Sequence, residues 1–146
     1  MWAEGARVVY LSNPDNPMGT WWTGEAVAAF RAALPEGCVL FLDEAYREFA
    51  PTAAQAPVAA DDPGVIRFRT FSKAHGLAGL RVGYALAAPG VATAFDKLRN
   101  HFGVNRVAQA GALAALAAAD HLATVVAGTA AARERLTAIA ADNGLA

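Results

Sequence analysis

The sequence has a single cysteine, Cys38, among its 146 residues. One thiol cannot form an internal disulfide, and it excludes a metal site built from clustered cysteines. Cys38 comes directly before the apolar run 39–42, so we expect it to be a buried, unreactive thiol.

The chain also has no excess of charge of either sign. It carries 12 Lys and Arg against 13 Asp and Glu, a formal net charge of −1. Binding to nucleic acid or to an anionic membrane through charge requires a basic surface. We therefore expect neither partner.

Long hydrophobic runs are absent as well. The uncharged stretch 107–119 contains Gln109, and both it and the slightly longer stretch 82–95 are shorter than the roughly 20 residues of a membrane-spanning helix. Residues 1–4 lack the basic and apolar regions that open a signal peptide, and the sequence has no N-x-[ST] glycosylation site. These features predict a cytoplasmic protein.

What the sequence does contain is an alternation of short apolar runs and helical segments. This alternation predicts one layered α/β domain that ends in a long helix. The predicted strands are 7–11, 39–42, 65–71 and 82–86, and the predicted helices are 23–34, 91–101, 105–119 and 121–142.

Both ends of the chain look cut. The first strand begins only a few residues after Met1, and the chain stops directly after Asn143 and Gly144, which are typical of a helix C-terminus. We therefore expect residues 1–146 to be part of a larger domain.

Polar residues follow three successive predicted strands. In open α/β sheets, ligands bind at the carboxyl ends of the strands. The residues found at these ends are Asn13 and Asn16, then Asp43 and Tyr46, then Ser72 and Lys73.

Each of these side chains also has an ordinary interpretation when taken alone. A lysine such as Lys73 at a strand end is usually solvated, and Asp43 could be the N-cap of a helical turn. Tyr46 could be a core residue and Asn16 a turn residue. Arg81, which precedes the fourth strand, could be a surface cation.

Taken together, these residues match the needs of a pyridine cofactor bound as an imine. Such a cofactor requires an amine, a carboxylate for the ring nitrogen, donors to the ring phenolate, and a phosphate cradle. The residues available for these four tasks are, in order, Lys73, Asp43, Asn16 with Tyr46, and Ser72 with Arg81.

Three sequence motifs carry a resemblance to a known family. Residues 13–20 (NPDNPMGT), 43–46 (DEAY) and 70–84 (TFSKAHGLAGLRVGY) resemble the asparagine–proline loop, the aspartate motif and the lysine loop of class I/II aminotransferases. These enzymes depend on pyridoxal 5′-phosphate (PLP) and have fold type I. Within the family, the histidinol-phosphate aminotransferases are the most similar subgroup.

The order and spacing of the motifs fit this resemblance, since Asn16 to Asp43 is 43 − 16 = 27 positions and Lys73 to Arg81 is 81 − 73 = 8. The resemblance implies that Lys73 is the Schiff-base lysine and proton shuttle. It implies that Asp43 pairs with the pyridinium nitrogen. It also implies that Tyr46 and Asn16 donate to the phenolate oxygen.

The same resemblance implies a phosphate-binding group formed by Ser72, Arg81 and, with a further hydroxyl, Thr70. The implied catalytic residues are Lys73, Asp43 and Tyr46. The implied cofactor-binding residues are Asn16, Asp43, Tyr46, Thr70, Ser72, Lys73 and Arg81, and no metal is implied.

The sequence departs from the family pattern at several places. Met18 replaces the usual threonine, His75 stands where the subgroup often has an aromatic residue, and 100–106 differs from the subgroup. The upstream half of the large domain and the C-terminal small domain have no counterpart here. The resemblance therefore implies a partial PLP-binding large domain, with a mostly parallel sheet and flanking helices, that is inactive in isolation.

The implied reaction transfers an amino group between an amino acid, with histidinol phosphate as one candidate, and a 2-oxo acid. The implied parent protein is a cytoplasmic homodimer of amino-acid biosynthesis. Two alternatives remain open. One is a PLP-dependent decarboxylase or carbon–sulfur lyase of the same fold, and the other is the aminotransferase-like domain of a transcription regulator.

Overall fold

The computed structural model describes residues 5–145 and is organised around one four-stranded sheet. Residues 1–4, on which the expected absence of a signal peptide depends, lie outside the described residues. The α/β fold expected from the sequence is confirmed, with helices flanking a mixed sheet.

The sheet contains β1 (Val8–Ser12), β2 (Val39–Asp43), β3 (Val65–Thr70) and β4 (Gly83–Leu86), and its strand order follows the order of the chain. The pairs β1–β2 and β2–β3 are parallel, whereas β4 runs antiparallel to β3. The expectation of a mostly parallel sheet is confirmed, and the antiparallel β4 forms one edge.

The register of the strands brings their carboxyl ends to one edge of the sheet. Ser12 of β1 pairs with Asp43 of β2, which in turn pairs with Phe68 of β3. The backbone continues this alignment beyond the strands, because the N–H of Asn13 donates to the carbonyl of Asp43 at 2.9 Å. The three loops that follow these strands therefore start side by side.

The helices begin where side-chain caps are available. In α1 (Gly24–Ala32) the Thr23 hydroxyl accepts from the N–H of Ala26 at 3.1 Å. Asn105 caps the helix that follows it in the same way, through the N–H of Ala108 at 2.8 Å. Each cap satisfies one of the backbone donors that the first helical turn leaves unpaired.

The remaining helices are α2 (Pro89–Leu98), α3 (Arg106–Ala117) and α4 (Ala119–Asp142). The predicted bounds of α2, 91–101, were wrong by two to three residues. A proline is favourable in the first turn of a helix, so α2 begins at Pro89, two residues earlier than expected. Three short 3₁₀ turns occur at Arg47–Phe49, Thr52–Ala54 and Ala78–Leu80.

The core lies between α1 and one face of the sheet. Leu40 and Leu42 of β2 are 0% and 1% exposed, and Val27 of α1 is 1% exposed. Full burial of such a side chain, relative to leaving it exposed, stabilises the folded state by about 1.5–3 kcal/mol. Cys38 is buried in the same cluster, as the sequence predicted.

By contrast, α4 packs loosely, and every residue in it retains some exposure. Among the helices of residues 5–145, none is by itself long and apolar enough to span a membrane. Among these helices, α3 and α4 taken together are long and apolar enough, but the two helices are bent by 79° where they join.

Candidate functional site

The candidate site lies at the carboxyl edge of the sheet, where the loops after β1, β2 and β3 meet. The β1 loop is anchored by Asn13, which is 4% exposed. Its amide donates to the carbonyls of Trp22 at 3.1 Å and Ala54 at 3.0 Å, and its carbonyl accepts from the N–H of Trp22 at 2.8 Å. Asn13 therefore stabilises the conformation of the loop, whereas the side chain of Asn16 is exposed.

Within this loop a tight turn presents Asn16. The N–H of Asp15 donates to the carbonyl of Thr20 at 2.8 Å, and the N–H of Gly19 donates to the carbonyl of Asp15 at 3.0 Å. Gly19 has a φ of 70°, a conformation that glycine adopts readily. The peptide bonds before Pro14 and Pro17 are both cis.

Asn16, Tyr46 and Lys73 are joined by direct contacts. The amide nitrogen of Asn16 donates to the hydroxyl of Tyr46 at 3.0 Å. The Nζ atom of Lys73 lies 5.0 Å from the centroid of the Tyr46 ring, a cation–π geometry. Three residues predicted from three separate motifs thus lie together, one from each loop.

Asp43 ends β2 beside this group and is half-buried. Its Oδ1 accepts from the N–H of Ala45 at 2.9 Å, and its Oδ2 accepts from the hydroxyl of Tyr10 at 2.6 Å. Residues 44–47 form a turn, in which the N–H of Arg47 donates to the carbonyl of Glu44 at 3.0 Å, and the 3₁₀ turn Arg47–Phe49 begins at its end with Tyr46 at its N-cap position.

Tyr10 was not predicted as a site residue. Its hydrogen bond to Asp43 is the main reason that the pKa of its phenol is raised, and burial and the Asp43 charge add to the effect. The alternation of side chains along β1 places Tyr10 on the same face as Ser12. Since Ser12 pairs with Asp43, the strand register is the signal that would have identified Tyr10.

The predicted phosphate-binding residues lie in or beside the lysine loop that joins β3 to β4. The N–H of Ser72 donates to the Thr70 hydroxyl at 3.0 Å. Arg81 is exposed, has a φ of 53°, and donates from Nη1 to the carbonyl of Ala78 at 2.8 Å. These contacts stay within the loop. They join Ser72 to Thr70, whereas the side chain of Arg81 is bound to the backbone of Ala78 rather than to either of them.

His75, in the same loop, packs against an aromatic neighbour. Its ring centroid lies 5.1 Å from that of Phe71, which is buried.

A buried ionic cluster supports the start of the β2 loop, next to Asp43. Glu44, which is 3% exposed, accepts from Arg67 at 2.6 and 3.1 Å and from Arg69 at 2.8 Å. Arg67 also donates to the carbonyl of Val58 at 2.9 Å. Burial alone would raise the pKa of Glu44, but the hydrogen bonds from Arg67 and then Arg69 outweigh it, so the pKa is lowered.

This cluster was not predicted from the sequence, although Arg67 and Arg69 occupy alternate positions of a predicted buried strand. Two charges on one face of such a strand require a partner of opposite sign. Glu44, directly after the neighbouring strand, is that partner.

An open cavity of about 320 Å³ adjoins Asn16 and Tyr46. Trp21 and Arg133, a residue of α4, also line it. In the described part of the chain, no cluster of three or more His, Cys, Asp or Glu side chains could hold a metal ion.

Comparison with known proteins identifies the family. The family model described as aminotransferase class I and II matches residues 3–145. Histidinol-phosphate aminotransferase 2 of Ralstonia nicotianae is 46% identical over 119 residues, which cover 80% of this chain and 32% of that protein. An aromatic amino acid aminotransferase of Rhodococcus jostii is 44% identical over 134 residues, which cover 91% of this chain and 37% of that protein.

Solved structures give the same result. A histidinol-phosphate aminotransferase from Sinorhizobium meliloti, crystallised in complex with PLP, has a TM-score of 0.94 and 58% identity, and the match covers 98% of this chain and 40% of that one. A histidinol-phosphate aminotransferase homologue from Erwinia carotovora has a TM-score of 0.88 and 28% identity, over 97% of this chain and 42% of that one. The chain spans about a third of the length of the curated relatives it matches. The chain belongs to the class I and II aminotransferase family.

Proposed function

We propose that this chain is part of the PLP-binding large domain of an aminotransferase and contributes the lysine, aspartate and phenolate-binding residues of its site. The observation that carries the proposal is the meeting of Lys73, Tyr46 and Asn16 beside Asp43 at one edge of the sheet. Ligand sites of open α/β sheets lie at this edge.

The chemistry of the residues present fits PLP. The Tyr46 hydroxyl accepts from Asn16 and so keeps its own proton for a second acceptor, as a phenolate oxygen requires. Each oxygen of Asp43 accepts one hydrogen bond and has a further lone pair for a ring N–H. Lys73 is exposed at its loop and carries an amine that can bond to an aldehyde.

When bound, PLP supplies an electron sink that stabilises negative charge at a substrate carbon. Lys73 would hold the cofactor through Nζ and, once the substrate amine had replaced it there, would use the freed Nζ to take up and return the substrate proton. Asp43 would keep the proton on the ring nitrogen, and Asn16 and Tyr46 would donate to the ring oxygen. Thr70, Ser72 and Arg81 would hold the phosphate.

The proposed substrates are an amino donor and a 2-oxo acid acceptor, with histidinol phosphate as the donor. The relatives named histidinol-phosphate aminotransferase support this choice, including the 58% identical structure. Relatives named aromatic amino acid aminotransferase match almost equally well, so aromatic amino acids are the competing donors.

Three further features of the proposal follow from the family resemblance. The chain would be completed by an upstream half-domain and a small domain, since it covers 32–37% of the relatives compared above. The complete protein would be a homodimer in the cytoplasm. The isolated chain would be inactive.

The proposal is tested in the full-length protein that carries this chain. The protein is loaded with PLP, reduced with borohydride and mapped by peptide mass spectrometry. We expect the label at Lys73, whereas Lys97, the other lysine of this sequence and an exposed residue of α2, should remain unmodified. A label on Lys97, or on a lysine outside this chain, would contradict the assignment.

The substrate is tested with a panel of donors under the same conditions. Histidinol phosphate should give the highest kcat/KM with a 2-oxo acid, above phenylalanine and tyrosine. Carbon dioxide release from a phosphorylated amino acid, without amino transfer, would favour the decarboxylase alternative.

A further inference from the structure

Tyr10 and Asp43 form a short hydrogen bond across two neighbouring strands. The hydroxyl of Tyr10 donates to Oδ2 of Asp43 at 2.6 Å, although 33 positions separate the residues in the chain. A distance this short is typical of an O–H donor on an ionised carboxylate. In the described residues Tyr10 is 61% exposed, and its hydroxyl donates to the Asp43 carboxylate.

The two oxygens of Asp43 are held from two different directions. Oδ1 accepts from the N–H of Ala45, in the loop that Asp43 itself begins, and Oδ2 accepts from Tyr10, on the neighbouring strand. A carboxylate held by one donor can rotate about its Cβ–Cγ bond, whereas a donor on each oxygen fixes its plane. Tyr10 is the residue of β1 that donates a hydrogen bond to this carboxylate.

We propose that Tyr10 is a positioning residue, whose hydroxyl holds the Asp43 carboxylate oriented toward the ring nitrogen of PLP. The inference rests on the proposed function, because it assigns a task to Asp43 as the partner of that nitrogen. It adds a residue that lies outside the three motifs of the sequence.

The protonation of Tyr10 is consistent with this task. Its hydrogen bond to Asp43 raises the pKa of the phenol above its ordinary value of 10.0, with smaller contributions from burial and from the charges of Asp43 and Asp15. Tyr10 therefore remains a hydrogen-bond donor at neutral pH. A phenylalanine would retain the ring but would leave Oδ2 without this donor.

The first experiment tests the hydrogen bond itself, without cofactor, in the full-length protein. Tyrosinate absorbance is followed as pH rises in the parent protein, in Tyr10→Phe and in Asp43→Asn. The difference between parent and Tyr10→Phe isolates the titration of Tyr10. We expect Asp43→Asn to move that titration to lower pH, and an unchanged titration would overturn the inference.

The second experiment tests the task in the PLP-loaded protein. Tyr10→Phe should lower kcat by roughly 10-fold, as expected for the loss of one hydrogen bond to a charged group, and should leave KM for the amino donor nearly unchanged. PLP should dissociate more readily, and the pH dependence of the cofactor's visible absorbance should shift. Tyr84→Phe is the matched control, since it removes a phenol of β4 that interacts with Arg69, whereas the donors to the Asp43 carboxylate are Tyr10 and Ala45.

The outcomes separate this inference from the proposed function. If borohydride attaches PLP to Lys73 but Tyr10→Phe matches Tyr84→Phe in kcat, PLP affinity and absorbance, the positioning role is wrong and the proposed function stands. If Tyr10→Phe only lowers the melting temperature, the hydrogen bond is structural and the inference is also overturned. If no PLP attaches to Lys73, both are wrong.

Discussion

The amide of Asn16 donates to the hydroxyl of Tyr46 at 3.0 Å, across 30 positions of sequence, and so ties the β1 loop to the β2 loop. The ammonium group of Lys73, in the β3 loop, lies over the ring of Tyr46, 5.0 Å from the ring centroid. Tyr46 therefore contacts a residue from each of the other two loops.

A double-mutant cycle tests this coupling. We expect Tyr46→Phe and Asn16→Ala each to weaken PLP binding, and the double variant to weaken it by less than the sum, because both single changes break the same hydrogen bond. The coupling should be about 0.5–1.5 kcal/mol, the usual contribution of one hydrogen bond. PLP titrations by absorbance measure it, and strictly additive effects would show that the two side chains act independently.

The sequence predicted the elements of the fold better than the contacts between them. Apolar runs marked all four strands, and Thr23 and Asn105 were suitable caps for α1 and α3. The direction of β4 relative to β3 was harder to predict from the sequence. The segment 71–82 between β3 and β4 is long enough for either a parallel or an antiparallel return, and only the packed structure decides between them.

The residues of the candidate site were also predicted only in part. The motifs predicted Asn16, Tyr46 and Lys73, which the structure brings into contact. Tyr10 escaped prediction because its partner depends on the register of β1 against β2. A shift of one residue would turn its side chain to the other face of the sheet, and the sequence of one strand does not specify that register.

Asp43 should be essential for turnover and much less important for cofactor retention. Asp43→Ala removes the carboxylate that would stabilise a protonated ring nitrogen, so we expect kcat to fall by roughly 100-fold or more. PLP should still attach to Lys73, because that bond does not involve Asp43. Steady-state kinetics and the bound PLP content measure the two effects.

The matched control for Asp43 is Asp61→Ala, which removes an exposed carboxylate from the loop before β3. It should keep turnover within a few-fold of the parent protein. Equal activity in the Asp43 and Asp61 variants would show that Asp43 has no part in the reaction.

Glu44 should be the most sensitive charged position for stability. Glu44→Gln leaves Arg67 and Arg69 without a full counter-charge in a buried setting, and breaking such a cluster typically costs about 3–5 kcal/mol. Thermal unfolding measures the loss. Glu36→Gln changes an exposed carboxylate and should leave the melting temperature almost unchanged.

The same cluster predicts the direction of a pH effect. The pKa of Glu44 is lower in the folded state than its ordinary value of 4.5, so the unfolded state binds its proton more readily. The stabilisation is present above pH 4.5 and is lost as the pH falls through the lower, folded-state pKa. Acid unfolding of Glu44→Gln should lack this component, and an acid transition identical to that of the parent would contradict the assignment.

The isolated 146-residue chain should self-associate and lack transaminase activity. In the described structure β1 pairs with β2 on one side only, and it exposes Val8 and Tyr10 to 49% and 61%. An unprotected edge strand of this kind pairs readily with other chains. Val8→Lys should reduce the association seen by size-exclusion chromatography, because a lysine disfavours edge-to-edge pairing. Val107→Lys, which changes a valine of α3 that is 67% exposed, should have a smaller effect.

Activity should return when the rest of the site is supplied. A chimaera in which this chain replaces the matching region of the Sinorhizobium meliloti enzyme would provide the segments of that protein beyond the 40% that it shares with this chain. The chimaera should bind PLP at Lys73 and transfer amino groups, while the isolated chain should do neither at a detectable rate. The expectation fails if the isolated chain is a monomer that turns over substrate, since the residues described here would then form a sufficient site by themselves.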